Sequence, residues 1–277
     1  MRRAIGGLLF KMLRLAKEPP FRLFVRQAVR LLNTSAQTKA DWDAVERPHC
    51  LVGMLEGAKE AVRESIHEIS VIEFGVAAGK GLLTLEAYAP MVERETRVRI
   101  HLYGFDMGKG MPELCGDHRD HPDVWKPGDY QMNEHLLRSR LSDRTTLLIG
   151  PMAETVPKFV EELQRAPIGF VVFDVDLYSS TRDALRLFTH PGKRTLRRVP
   201  LYFDDVDLFQ SHRFAGELLA IDEFNLLSKH TKIDRWRGLT EDRVFFESSW
   251  LRKMYVAHDL EAISRVMLTG PPAQLRE

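Results

Sequence analysis

The spacing of apolar and polar residues predicts strands and helices in turn along most of the chain. Short, mostly apolar runs typical of buried strands are Ser70–Phe74, Arg99–Phe105, Thr145–Ile149, Gly169–Phe173 and Pro200–Phe203. Between these runs the spacing becomes that of helices, at Leu82–Val92, Asn133–Leu141, Val156–Arg165 and Ser180–Phe188. Buried strands separated by helices predict a parallel sheet with both faces covered.

The C-terminal part of the chain has a different pattern. Arg243–Glu247 and Lys253–His258 are both strand-like, and the link Ser248–Arg252 is too short to hold a crossover helix. Strands joined so closely should pair antiparallel. The whole pattern therefore predicts an α/β, Rossmann-like three-layer sandwich, whose mostly parallel seven-stranded sheet ends in an antiparallel hairpin.

Helical patterns precede the first strand, at Phe21–Leu32 and Cys50–Ile66. They predict an N-terminal helical extension over residues 1–48 and a main domain over residues 49–277. Met1–Lys17 is basic and amphipathic, so we expect it to pack on the domain or on the partner subunit of a homo-oligomer. Peripheral contact with a membrane surface is the alternative for this segment.

Charge and cysteine content narrow the classes of function. The 40 basic and 39 acidic residues give a net charge of +1, so nothing in the overall charge indicates a nucleic-acid partner. The two cysteines form no CxxC pair, which fits a reducing, cytoplasmic location. No apolar run approaches the ~20 residues that span a bilayer.

The segment Ile69–Leu83 indicates a nucleotide or cofactor site. It passes from a strand through Glu73, Gly75 and Gly79 into a helix, and such a turn presents backbone N–H groups to a ligand. Asp106 follows the second strand and suits the two hydroxyls of a ribose, unless it is only a turn or helix-cap residue.

The third strand adds an apolar candidate to this site. It ends at Gly150, and Met152 follows as a wall for an adenine ring.

Carboxylates follow the fourth and fifth strands. FDVDLYSST contains Asp174 and Asp176, and YFDDV contains Asp204 and Asp205. Carboxylates that converge at one sheet edge repel one another unless a cation lies among them, and Mg²⁺ prefers such oxygen ligands. In the alternative, Asp176 and Asp205 cap the helices that follow them.

Gly116–Asp123, reading GDHRDHPD, is a second polar cluster. His118 and His121 with the neighbouring aspartates could bind a transition metal. A mobile lid over a substrate pocket, with an aromatic face from Trp125 and Tyr130, is the interpretation that its long connection favours.

Three segments resemble class I S-adenosylmethionine-dependent methyltransferases of the macrocin O-methyltransferase-like branch: EFGVAAGKG, GFDMGKGMPE and, most specifically, FDVDLYSST. The resemblance covers roughly Cys50–Asp259. It implies that Glu73 and Gly75 border the methionine of S-adenosylmethionine and that Asp106 binds its ribose.

The same resemblance implies a reacting centre. Asp174, Asp204 and Asp205 match acids that hold Mg²⁺ in metal-dependent relatives, and Asp174 is the general-base candidate. The predicted function is methyl transfer to an oxygen of a small molecule, such as a sugar or natural-product hydroxyl. The alternatives are an NAD(P)-dependent oxidoreductase and a non-catalytic protein that binds a cofactor or a partner.

Overall fold

The computed structural model describes residues 17–241 and 243–267 of the 277. Its strands are β1 Glu68–Phe74, β2 Arg99–Asp106, β3 Thr145–Ile149, β4 Ile168–Phe173, β5 Arg198–Phe203, β6 Thr231–Arg235 and β7 Met254–Asp259. They form one sheet in the order β3-β2-β1-β4-β5-β7-β6. The first five strands are parallel to one another, and β7 runs antiparallel to both β5 and β6. The predicted fold class is confirmed.

The helices are α1 Phe21–Leu31, α2 Ala36–Asp41, α3 Pro48–Arg63, α4 Lys80–Thr96, α5 Glu134–Arg138, α6 Met152–Lys158, α7 Tyr178–Leu185, α8 Gly216–Leu227 and α9 Leu260–Ser264. Helix α3 packs on α4 and on β4 and β5, while α6 and α8 both contact α7. No helix within the described residues is long and apolar enough to cross a membrane.

A ladder of phenylalanines fills the core just below the carboxyl edge of the sheet. The strand register aligns Phe105, Phe74, Phe173 and Phe203 across four neighbouring strands. Their ring centroids are 4.7, 5.3 and 4.4 Å apart in that order, and all four side chains are fully buried. These rings form a rigid floor for the loops that follow β1, β2, β4 and β5.

The predicted strand Arg243–Glu247 is wrong, because this segment forms turns and the partner of β7 is Thr231–Arg235. The apolar residues of the segment serve a different contact. Phe245 is buried, with Arg22 and Arg26 of α1 stacked on its ring at 5.3 and 5.0 Å. The antiparallel pairing at the end of the sheet is nevertheless confirmed.

Other predicted elements differ in extent. The helix expected at Asn133–Leu141 is reduced to the five residues of α5, and α8 lacked a prediction. The segment Val156–Arg165 divides into the end of α6 and a wider turn over Phe159–Leu163. The amphipathic segment Met1–Lys17 lies outside the described residues except for Lys17.

Candidate active site

The glycine turn after β1 is shaped by close contacts with its protein neighbours. Gly75 has φ +83°, and a Cβ there would lie 1.8 Å from the carbonyl oxygen of Asp174. A Cβ on Gly81 would lie 1.7 Å from Oε1 of Glu73 and 2.5 Å from Nη1 of Arg47. Glycine is therefore required at position 75 so that the loops after β1 and β4 can approach each other, while the missing side chain at Gly81 leaves room for the Glu73 and Arg47 side chains.

Glu73 is fully buried at the base of this turn. Burial and the neighbouring Asp174 raise its pKa well above the usual value, although Arg47 opposes the shift. Its Oε1 lies 3.9 Å from Nη1 of Arg47, and its Oε2 has no hydrogen-bond partner among the described residues. A buried acceptor without a partner fits a ligand that brings a donor, such as the amino group of a bound amino acid.

Asp106 binds the glycine turn through its carboxylate. Oδ2 accepts hydrogen bonds from the backbone N–H groups of Val76 and Ala77 at 2.9 and 2.8 Å, and Oδ1 accepts one from Gly108 at 2.6 Å. The side chain therefore has the turn role considered as an alternative. Carboxylate oxygens keep further acceptor capacity, so its contact with a ribose stays a prediction.

Gly150 lies beside Asp106, because its backbone N–H donates to the carbonyl oxygen of Asp106 at 2.9 Å, and Met152 follows two residues later. Met152 is half-buried against the main core at the start of α6. Gly79, with φ +86°, ends the glycine turn just before α4. These three positions are consistent with a cofactor cleft across β1–β3, and their contacts with a ligand stay predictions.

Three carboxylates converge at the carboxyl edge of β4 and β5. One oxygen from each of Asp174, Asp204 and Asp205 lies within 4.8 Å of the others, and this is the only such group found in the described part of the chain. Oδ2 of Asp205 is buried and has no hydrogen-bond partner. These oxygens are the ligand type that Mg²⁺ prefers, so the residues fit a divalent cation.

The electrostatics of the three acids differ. Burial and the charge of Asp204 raise the pKa of Asp174 to about 6, although Arg47 opposes the shift from 3.5 Å. Burial would also raise the pKa of Asp204, but hydrogen bonds from Tyr202 and Lys253, at 2.6 and 3.0 Å, lower it. The site therefore holds one ionised carboxylate beside groups whose proton affinity is increased.

Asp176 and Asp205 face each other and cap no helix. Burial and the charge of Asp174 raise the pKa of Asp176, and burial and the charge of Asp176 raise the pKa of Asp205. Helix α7 begins after Leu177 and α8 after Ala215, neither with a side-chain cap. Asp176 has φ +59°, and such strain is frequent at functional sites.

The acidic side chain at the start of helix α7 comes instead from the segment that was predicted to be a lid. Asp120 is fully buried, and its Oδ1 accepts from the backbone N–H of Ser179 at 2.8 Å while Oδ2 accepts from the Ser179 hydroxyl at 2.9 Å. Asp117 pairs with Arg119. Within the described residues, neither His118 nor His121 joins a metal-binding group.

The segment predicted to be a lid lies next to the acid cluster. Trp125 and His121 line a small cleft together with Asp176 and Asp205. Tyr130 is 57% exposed, and burial with the nearby Asp176 raises its pKa. The segment therefore presents aromatic groups on the side of the acid cluster.

Sequence reasoning missed two cationic residues of the site and a buried glutamate that binds the backbone of Asp205. Arg47 precedes α3 with φ +48° and contacts Glu73 and Asp174, while Lys253 precedes β7 and contacts Asp204. Glu217 of α8 is fully buried and accepts the backbone N–H of Asp205 at 2.9 Å. The chain places these residues far from the acids, and no local motif marks them.

Fold and site together define a Rossmann-like α/β domain with a glycine turn after β1 and an acidic centre at the ends of β4 and β5. No protein-family model matches the chain, and no curated protein matches it.

Solved structures with a similar fold include three methyltransferases. CalS11, a calicheamicin methyltransferase, is 20% identical with a TM-score of 0.47, and the alignment covers 80% of this chain and 90% of CalS11. MycE from the mycinamycin biosynthetic pathway, solved with Mg, SAH and mycinamycin VI, is 12% identical with a TM-score of 0.36, covering 74% and 53%. The plantazolicin methyltransferase BpumL is 11% identical with a TM-score of 0.33, covering 84% and 95%. At these similarities no residue role transfers to this chain.

Proposed function

We propose that this protein transfers the methyl group of S-adenosylmethionine to a hydroxyl oxygen of a small molecule, with Mg²⁺ at the acidic centre. One observation carries the proposal. Arg47 contacts both Glu73, on the donor side, and Asp174, at the acidic centre, so the two parts belong to one cleft. A donor site and a deprotonating centre in one cleft are what O-methylation needs.

The donor would lie over the glycine turn. Its amino group would donate to the unpartnered Oε2 of Glu73, and its ribose would approach Asp106, with Gly75 and Gly79 allowing close contact with the backbone. A carboxylate with a raised pKa recovers its charge when a cation binds beside it. Met152 would contact the adenine ring.

The reaction is a single displacement. The acceptor oxygen attacks the methyl carbon in line, the new C–O bond forms as the S–C bond breaks, and the hydroxyl proton passes to Asp174. Without a bound cation the pKa of Asp174 is about 6, which is in the range that a general base needs near neutral pH; a cation held by Asp174 would lower that pKa. Arg47 limits the charge that builds up at the reacting centre.

Asp174, Asp204 and Asp205 would hold Mg²⁺. The ion would bind acceptor hydroxyls and lower their pKa, which makes the attacking oxygen easier to form. Lys253 keeps Asp204 ionised for this role. The acceptor would lie between this centre and the lid aromatic residues Trp125 and Tyr130, an arrangement suited to a sugar or natural-product ring.

The oxidoreductase alternative is not favoured by the sheet. Dinucleotide-binding sheets commonly run 3-2-1-4-5-6 with parallel strands, whereas here an antiparallel β7 separates β5 from β6. The acids after β4 and β5 have no role in hydride transfer. These closely spaced carboxylates repel one another, and a non-catalytic function offers no reason for placing them together.

Calorimetric titration with S-adenosylhomocysteine and with NAD, each with and without Mg²⁺, tests the donor. We expect S-adenosylhomocysteine to bind and NAD not to bind. Binding of NAD alone would overturn the methyltransferase proposal.

Asp174→Asn tests the metal separately. We expect Mg²⁺ binding to weaken at least about tenfold because one charged ligand is lost, while S-adenosylhomocysteine affinity stays within about threefold. Asp123→Asn, on an exposed part of the lid, is the matched control. If Mg²⁺ fails to bind the unaltered protein, the metal is removed from the proposal and the donor site is untouched.

A further inference from the structure

A second cavity lies outside the cleft described above, between the N-terminal helices and α4. Its volume is about 690 Å³, within the range of small-molecule sites. Its charged and aromatic lining residues are Arg30, Lys39, Glu46, Lys80, Tyr88 and Arg140. Neither the acids after β4 and β5 nor Asp106 line it, so it is distinct from the proposed reacting centre.

The charge of this cavity is strongly unbalanced. Four cationic side chains line it, against the single carboxylate of Glu46. Lys39 is already satisfied, because its Nζ donates to the carbonyl oxygens of Val29, Arg30 and Leu32 at the end of α1. In the described part of the chain, the other three cations, Arg30, Lys80 and Arg140, have no such hydrogen bonds from their side chains.

Arg30, Lys80 and Arg140 are exposed to the cavity side of the molecule and make no ion pair or side-chain hydrogen bond within the described residues. Other described arginines do pair with acids, as Arg144 with Glu93 and Arg213 with Asp222. Three unpaired cations around one cavity repel one another, and an anion bound among them would relieve that repulsion.

The uncharged lining of the cavity indicates which organic group the bound anion would carry. Val45, Leu83 and Ala87 are apolar, and the Tyr88 hydroxyl already donates to the carbonyl oxygen of Glu46, which fixes its ring. A fixed aromatic ring with apolar neighbours suits a planar or ring-shaped organic group. Bare phosphate would leave this wall without a contact.

We propose that this cavity binds a small organic phosphate, with Arg30, Lys80 and Arg140 around the phosphate and the organic part against Tyr88. One guanidinium group can donate hydrogen bonds to two phosphate oxygens at once, and a lysine ammonium adds a further positive charge. Ala78 and Lys80, which line this cavity, flank Gly79 of the glycine turn, so the cavity adjoins the donor site without sharing Glu73, Gly75 or Asp106.

Calorimetry on protein saturated with S-adenosylhomocysteine tests the proposal, because saturation blocks the adenosine position of the donor cleft. The probes are AMP, adenosine and inorganic pyrophosphate. We expect AMP to bind at least about tenfold more tightly than adenosine, with an affinity that falls as NaCl is raised. Pyrophosphate should bind more weakly than AMP, since it lacks a group for the Tyr88 wall.

Exposed cations of the cavity can be neutralised without touching the core. Arg30→Gln and Arg140→Gln should each weaken AMP binding about three- to tenfold, whereas Arg30→Lys should restore most of the loss because it keeps the charge. Arg186→Gln, an exposed arginine elsewhere, should leave the affinity unchanged. All variants should bind S-adenosylhomocysteine as the unaltered protein does.

Three outcomes would overturn the proposal. AMP could bind no better than adenosine, the double variant Arg30→Gln/Arg140→Gln could bind AMP as well as the control does, or AMP could be displaced by S-adenosylhomocysteine. The last result would assign AMP to the donor cleft. None of them bears on methyl transfer, which the donor titration tests separately.

Discussion

Asp106 connects two strands through a single side chain. Three backbone N–H groups donate to its carboxylate, two of them from the glycine turn after the neighbouring strand. A carboxylate in this position fixes the turn whether or not a ligand is bound. The residue can therefore serve stability and ligand binding together, and a substitution can separate the two.

Asp106→Asn should lower the free energy of unfolding by about 2 kcal/mol, because an amide NH₂ replaces one acceptor that faces N–H donors. Urea unfolding measures the change. Asp123→Asn, which is exposed and makes no described contact, should stay within about 0.5 kcal/mol. Unchanged stability with a large loss of S-adenosylhomocysteine affinity would contradict the structural role.

His49 shows the effect of burial on a base. Its ring stacks on Tyr202 with centroids 3.8 Å apart, and burial together with the charge of Arg47 lowers its pKa to about 3. The unfolded chain binds a proton near pH 6.5, whereas the folded protein does not. His49 therefore lowers the free energy of unfolding progressively as the pH falls from 6.5 toward 3. Above pH 6.5 this group has no such effect.

This loss should disappear in His49→Gln. Between pH 6.5 and 5.0 we expect the unaltered protein to lose about 2 kcal/mol more than the variant, at roughly 1.4 kcal/mol for each pH unit. Urea unfolding at the two pH values gives the difference, and His67→Gln, on an exposed residue, is the control. Parallel pH dependences would show that His49 is protonated in the folded protein.

At the scale of elements, glycines let α3 lie unusually close to the sheet. A Cβ on Gly57 would lie 2.1 Å from the carbonyl oxygen of Gly169, and one on Gly53 would lie 2.1 Å from the ring of Phe170. These contacts set the distance between α3 and β4. They also position Arg47, which directly precedes α3 and reaches the reacting centre.

Gly57→Ala should lower the free energy of unfolding by about 2 kcal/mol. Alanine favours a helix by about 1 kcal/mol over glycine, but the clash with backbone cannot be relieved by a side-chain rotation. Thermal and urea unfolding give the sign. Gly192→Ala, whose added Cβ would make only ordinary contacts at 3.6 Å, should change stability by less than about 0.5 kcal/mol. A more stable Gly57→Ala would mean that α3 can move outward freely.

The sequence predicted the five parallel strands because each is apolar and buried on both faces. It failed at β6, where only Thr231 and Ile233 are buried and the other residues of Thr231–Arg235 are charged. An edge strand needs few apolar residues. The strand was predicted at Arg243–Glu247 because that segment is more apolar, but its Phe245 packs against arginines of α1.

The acidic centre was predictable for a related reason. Asp174, Asp204 and Asp205 directly follow buried parallel strands, and the ends of such strands meet at one edge. Arg47 and Lys253 reach the same centre from loops whose course depends on tertiary packing. Local sequence carries no information on such packing, so the compensating charges could not be foreseen.

At the scale of the molecule, the N-terminal helices are joined to the C-terminal part of the chain through Asp43. Its Oδ1 accepts from Arg243 at 2.6 Å, and its Oδ2 accepts from Ser248 and Trp250, each at 3.1 Å. Ala40 of α2 belongs to the main core cluster. We therefore propose that residues 36–48 fold together with the main domain, although the sequence pattern marked residues 1–48 as an extension.

Asp43→Asn keeps the side-chain shape and leaves Arg243 buried without its charged partner. We expect the free energy of unfolding to fall by about 3 kcal/mol, in one transition seen alike by tryptophan fluorescence and circular dichroism. Asp41→Asn, on an exposed residue, is the control. Two separate transitions would show that the N-terminal helices form an independent unit.

The position of β7 between β5 and β6 has a consequence for synthesis on the ribosome. Strands β1 to β5 can pair with one another as they emerge, but β6 pairs only with β7, which is made later. During that interval β6 and one edge of β5 stay open to other nascent chains or to chaperones. Lys253 also emerges only then, so Asp204 meets its cation at the last step of folding. A truncated or stalled chain would therefore carry all its acids but lack a finished site.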